Sequence, residues 1–111
     1  MMKKNVLAIL LTILSAHALA DVNVDLNDFE LWSTTAGSDL IRVFPKGVAV
    51  INPAPTCGDA DSYMVKTTLA PAAINRMYST LLAAKMAAKP VRLMVSGCET
   101  NRPAIVSVEL L

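Results

Sequence analysis

Apolar and polar residues alternate through residues 21–27, where Val22, Val24 and Leu26 are separated by Asn23 and Asp25. A period of two places the three aliphatics on one face of an extended segment, either a short strand or an ordered N-terminal arm. Phe29, Leu31 and Trp32 follow, and residues 33–39, polar and containing Gly37, read as a loop. Residues 40–44 and 48–51 are rich in β-branched and aliphatic side chains and are separated by Pro45, Lys46 and Gly47. Proline presets one turn torsion and glycine tolerates positive φ, so the two runs predict a hairpin with a three-residue connection. Pro53 and Pro55 lack amide donors and forbid a continued ladder. After a loop holding Cys57, residues 62–68 predict a further strand. Tyr63, Val65 and Thr67 would share one face, and Met64, Lys66 and Thr68 the other.

The period then changes. Ile74, Met77, Tyr78, Leu81 and Ala84 recur at helical spacing and predict one helix over residues 71–88. Pro71 suits its first turn, Thr68 is a candidate cap, Lys85 and Lys89 favour the negative end of its dipole, and Pro90 stops it. Val91, Leu93 and Val95 alternate again, residues 99–103 read as a turn, and Val106, Val108 and Leu110 alternate to the end. The order strand, strand, strand, helix, strand, strand is that of an OB-fold. The expected class is mainly β (α+β): a small five-stranded antiparallel OB-like barrel with one helix between strands 3 and 4. Closure would also remove the free edges that a small open sheet exposes.

The N-terminus changes what the composition means. Lys3 and Lys4 precede an apolar run over residues 6–14, broken only by Thr12, and Ala18, Leu19 and Ala20 then supply a small-x-small cleavage site. Residues 1–20 are therefore expected to be a signal peptide, with residues 21–111 a single exported OB-like domain, periplasmic or secreted. An uncleaved anchor is the competing reading, but the apolar run falls short of the roughly 20 residues a span needs. No cysteine follows the cleavage site, so lipid attachment there is not available. The formal charge of +1 for the whole chain becomes slightly negative once Lys3 and Lys4 are gone, and no Lys/Arg cluster is visible. Nucleic acid is thus not an expected partner. Nor is membrane insertion expected after cleavage.

His17, the only histidine, leaves with the leader. A chain without it cannot assemble a Ser-His-Asp or Cys-His pair or a histidine zinc site, and two cysteines are too few for an all-cysteine one. No metal, cofactor or catalytic residue is expected, and the chain is read as a non-enzyme. Cys57 and Cys98, the only cysteines, lack the C-x-x-C spacing of a redox pair, so an oxidising compartment makes a structural disulfide the expectation.

The second half resembles a group of small exported proteins of Gram-negative bacteria. Their pattern is a cysteine loop, a helix with a Tyr-Ser/Thr-x-Leu-Leu-x-Ala core, a short strand and a second cysteine. Here Cys57 is followed by Tyr78, Ser79, Leu81, Leu82 and Ala84 on the helix, then by Val91, Leu93 and Val95 before Cys98. More distantly, the chain resembles the OB-fold B subunits of subtilase-type and pertussis-like AB5 toxins. That resemblance implies the fold, a ring-forming homo-oligomer and a glycan ligand. No stretch between Asp21 and Leu40 matches the sugar-binding motif of those subunits, so no binding residue is carried over.

Three constellations remain. Asp59 and Asp61 lack the distal ligands of a calcium loop, since Tyr63 and Met64 follow, and read as an acidic turn. Ser79 and Lys85 lack the Ser-x-x-Lys spacing of a nucleophile pair and read as a solvated helix face. Trp32, beside Ser33, Thr34 and Thr35, is the candidate ligand contact: an indole next to hydroxyls can stack on a sugar ring or anchor a protein. The competing expectation is that Trp32 closes one end of the barrel core, as a lone tryptophan in a small domain is normally buried. Met64 and Met94, on outward faces in this register, are candidate subunit contacts. The expected function is a non-catalytic binding module whose partner is a protein or a glycan. The alternatives are a glycan-binding oligomer like an AB5 B subunit and a periplasmic inhibitor of a lysozyme or protease.

Overall fold

Seven elements follow one another in the computed structural model, which describes residues 21–35, 40–53 and 56–111. They are β1 (Val22–Leu26), β2 (Phe29–Thr34), β3 (Leu40–Pro45), β4 (Tyr63–Val65), α1 (Pro71–Ala87), β5 (Val91–Glu99) and β6 (Arg102–Leu110). The expected leader and residues 36–39 of the 33–39 loop lie outside the described residues.

The strands form one six-stranded sheet in the order β1-β5-β6-β4-β3-β2. It is mixed, since β4 and β6 run parallel and the other neighbours antiparallel. Five strands, all antiparallel, were expected; the structure has six, and α1 follows the fourth. Residues 22–26, left open between strand and arm, form one strand and residues 29–34 another, while the strand expected over 48–51 is lost. The two outermost strands, β1 and β2, are consecutive in sequence with only Asn27 and Asp28 between them. Six flat strands would hold them about 24 Å apart, whereas three Cα steps reach about 11 Å. The sheet must therefore roll until its edges meet at this link.

The link is held on three sides. The Phe29 amide donates to Asp28 Oδ1 at 2.9 Å, and the Lys46 amide to the Asp28 carbonyl at 3.1 Å. Lys85 Nζ, from the last turn of α1, donates to the Phe29 carbonyl at 2.6 Å. Lys85 is thus a clip between helix and sheet, whereas a solvated position was expected. Ser79 is remote from such a role, its hydroxyl donating to the Asn75 carbonyl at 2.9 Å.

The expected hairpin does not form, because β3 already has a neighbour on each side. It pairs with β2, Leu31 opposite Val43 and Trp32 opposite Arg42, and with β4, Val43 opposite Tyr63. Residues 48–51 form no strand; there the Ile51 amide donates to the buried Tyr63 hydroxyl at 2.7 Å. The strand expected over 62–68 shortens to β4, all three of whose residues are buried. Met64 is among them, so it offers no exposed subunit contact. The expected turn over 99–103 tightens to Thr100 and Asn101, both at positive φ, as a two-residue hairpin of mirror-image type requires.

Inside the roll, Val24, Leu26, Phe29, Val43, Tyr63, Val65, Leu93 and Ile105 meet Met77, Leu81 and Ala84 of α1. The helix keeps its expected stripe, with Ile74 half-buried at its margin and Tyr78 half-buried along the same face. Its N-cap is Ala70 rather than Thr68, and no side chain bonds that end. Cys57 and Cys98 form the expected disulfide, which ties the loop before β4 to the end of β5. Asn52 brackets the first cysteine, accepting from its amide at 2.8 Å and donating to its carbonyl at 3.0 Å.

Candidate functional site

Side chains along β2 point alternately into and out of the roll. Phe29 is buried and Leu31 packs on the core, so Trp32 points outward. It is 53% exposed, which overturns the expectation that it plugs the barrel. The β2–β3 register sets it directly across from Arg42.

Arg42 is fixed from below. Its Nε and Nη2 donate to the buried Ser62 hydroxyl at 3.1 and 3.0 Å, and Nη2 reaches both Asp61 oxygens at 3.2 Å. The guanidinium carbon then lies 5.3 Å from the Trp32 ring centroid and 4.7 Å from that of Phe44, within cation–π range of both. The two rings meet edge to face, 6.1 Å apart and 84° between planes. Trp32 is therefore exposed yet braced by a cation and a second ring.

Behind Arg42 the charges are paired. Arg102 donates to Asp61 from Nε at 2.8 Å and from Nη2 at 3.3 Å, and pairs with Asp59 at 3.1 Å. The hydrogen bond from Arg102 holds the Asp61 carboxyl well below its usual range, at about 2; partial burial opposes it, and Ser62 and the charges of Arg102 and Arg42 add to it. Asp59 and Asp61 are thus held by arginines, and among the described residues no group of three or more His, Cys, Asp or Glu is placed to hold a metal. With two arginines facing two aspartates, the patch presents an indole and fixed polar groups without net charge.

The four residues expected to act together are divided. Ser33, Thr34 and Thr35 line a groove of about 790 Å³ between α1 and the ends of β2, β3 and β4, and Trp32 is not among its lining residues. Arg42, Phe44, Asp61, Ser62 and Arg102 were not anticipated. The available signal was Arg42 itself, a lone charge between the aliphatics Ile41 and Val43.

No protein-family profile, curated protein or solved structure matches the chain. Among the described residues, no helix is long and apolar enough to cross a membrane.

Proposed function

We propose that the chain is an exported, non-catalytic binding module that recognises its ligand through Trp32 on the outer face of β2 and β3. The observation that carries this reading is the exposure of the lone tryptophan while Arg42 and Phe44 brace it. Exposed indole is costly to keep in water, and a braced ring loses little further freedom when a ligand covers it. The disulfide and the expected leader favour an oxidising compartment.

The fold reading points to the same face. With β1 and β2 counted as one strand broken at Asn27 and Asp28, the element order becomes that of a five-stranded OB barrel. Such barrels bind through the face of their second and third strands and adjoining loops. Here those strands are β3, which carries Arg42 and Phe44, and β4, which Ser62 immediately precedes. This is analogy of fold, and it raises the reading without deciding the ligand.

The neutrality of the patch favours an uncharged planar or ring-shaped ligand surface, which keeps a glycan among the candidates beside a protein. Arrays of immobilised glycans and peptides, probed with oxidised wild-type and Trp32→Ala proteins, test the proposal. Ligands retained by the first and lost by the second support it, and a ligand set unchanged by the substitution refutes it. The ring-forming glycan binder further requires a pentamer-sized mass by light scattering, and a monomer excludes it.

A further inference from the structure

The groove between α1 and the strand ends lies on the other side of β3 from Trp32, because Ile41 lines it while the adjacent Arg42 faces Trp32. Its volume of about 790 Å³ falls in the range of small-molecule sites, roughly 300–1,000 Å³. Ile41, Val65, Leu69 and Ile74 supply branched aliphatic walls. One ionic group, Glu99, stands among the lining residues, and no Lys, Arg or His does.

Glu99 is held in place by a single oxygen. Its Oε1 accepts from the Thr67 amide at 2.7 Å and from the Thr67 hydroxyl at 3.0 Å. Oε2 takes no partner among the described residues. The carboxylate is therefore oriented by the backbone after β4 while half of its acceptor capacity stays open. Fatty acids, phosphates and other anions would meet this charge with no cation among the described lining residues to offset it. An uncharged alkane would leave the second carboxylate oxygen without a partner.

We infer that this groove is a second site, which takes an aliphatic ammonium ion with its carbon chain along Ile41, Val65 and Ile74 and its charged end on Glu99. The inference concerns a different surface from the Trp32 face and stands or falls separately from it.

Amide chemical-shift titrations of the oxidised protein with n-hexylammonium, n-hexanol and hexanoate provide the test. Saturable shifts are expected at Val65, Thr67 and Ile74, with hexylammonium bound about three- to fivefold more tightly than hexanol, as a partly exposed ion pair allows. Hexanoate is expected to be the weakest of the three. Glu99→Gln retains a carbonyl oxygen for Thr67 while removing the charge, so it should equalise hexylammonium and hexanol. Should that variant fail to fold, raised salt makes the same test on the unaltered protein, where the preference for the cation must shrink. Nα-acetyl-lysine methylamide distinguishes the sources: tighter binding than hexylammonium assigns a lysine side chain of a polypeptide, and weaker binding a free amine. Equal affinities for ammonium and alcohol in the wild type, a preference that survives in Glu99→Gln, or no saturable shifts would overturn the inference.

Discussion

Trp32 and Arg42 sit directly opposite each other on adjacent strands, with the guanidinium carbon 5.3 Å from the indole centroid. This pair explains how a large aromatic side chain stays exposed and still has a defined position. Asp61 and Ser62 hold the arginine, and the arginine holds the ring.

Removing the brace should free the ring before it unfolds the protein. In Arg42→Ala, the emission of Trp32, the only tryptophan, should become more quenchable by acrylamide and its anisotropy should fall. The stability cost should be about 1–2 kcal/mol, because Arg102 continues to serve Asp61. Arg42→Lys should restore little, since an ammonium cannot both stack on two rings and make the forked contacts of a guanidinium. Unchanged quenching in Arg42→Ala would show that the indole is positioned by something else.

Acid should weaken the same cluster over a defined window. Asp61 titrates at about 2 in the folded protein against 3.8 ordinarily, so its ionised form is favoured by folding. The associated stability is fully present above the unfolded value and is lost as pH falls from about 4 through about 2. Because half of this side chain meets solvent, the contribution is about 1 kcal/mol rather than the full value of the shift. Urea denaturation should show the gap between wild type and Asp61→Asn closing across that window. A gap that is constant from pH 6 to pH 2 would be at odds with the pairing.

The disulfide should carry a large share of the stability. Its cysteines are 41 residues apart, which by the chain-entropy account corresponds to about 4 kcal/mol. The paired substitution Cys57→Ser with Cys98→Ser should lower the denaturation midpoint accordingly, and reduction of the wild type should have the same effect. A shift of under about 1 kcal/mol would mean that the loop is held mainly by Asn52 and by the Asp59 amide, which donates to Asn101 at 2.8 Å.

Both ends of α1 leave room for improvement. Ala88 closes the helix in the left-handed region at φ 53°, a conformation that costs a side-chain-bearing residue about 1 kcal/mol relative to glycine. Ala88→Gly should therefore stabilise the protein by about 0.5–1 kcal/mol. Ala70→Asp should add about 1 kcal/mol by giving the uncapped N-terminus an acceptor. Thermal melts check both, and a loss of stability in either variant would contradict the cap geometry.

What the sequence disclosed, and what it hid, follows from the range of the interactions involved. α1, β5 and β6 announce themselves through local periodicity, β1 shows the same alternation without deciding between strand and arm, and two cysteines in a chain expected to be exported allow one disulfide. β2 was missed for an instructive reason. Phe29, Glu30 and Leu31 alternate as a strand should, but Trp32 then places an apolar residue on the outward face and breaks the pattern. The residue that obscures the strand is the one that marks the candidate site, as expected where local rules yield to function. The false hairpin has another origin: Pro45, Lys46 and Gly47 are good turn chemistry, and only the partners already beside β3 exclude it. The grip of Asp61 on Arg42, 19 residues away, has no local signature at all.

The most direct test is a pair of binding isotherms, for wild-type and Trp32→Ala proteins, against whichever glycan or peptide the arrays retain. The disulfide should be intact and the melting temperature matched in both. The Trp32 face predicts at least about a tenfold loss of affinity in the variant, equivalent to about 1.4 kcal/mol. Superimposable isotherms would contradict it, and would place recognition elsewhere on the molecule.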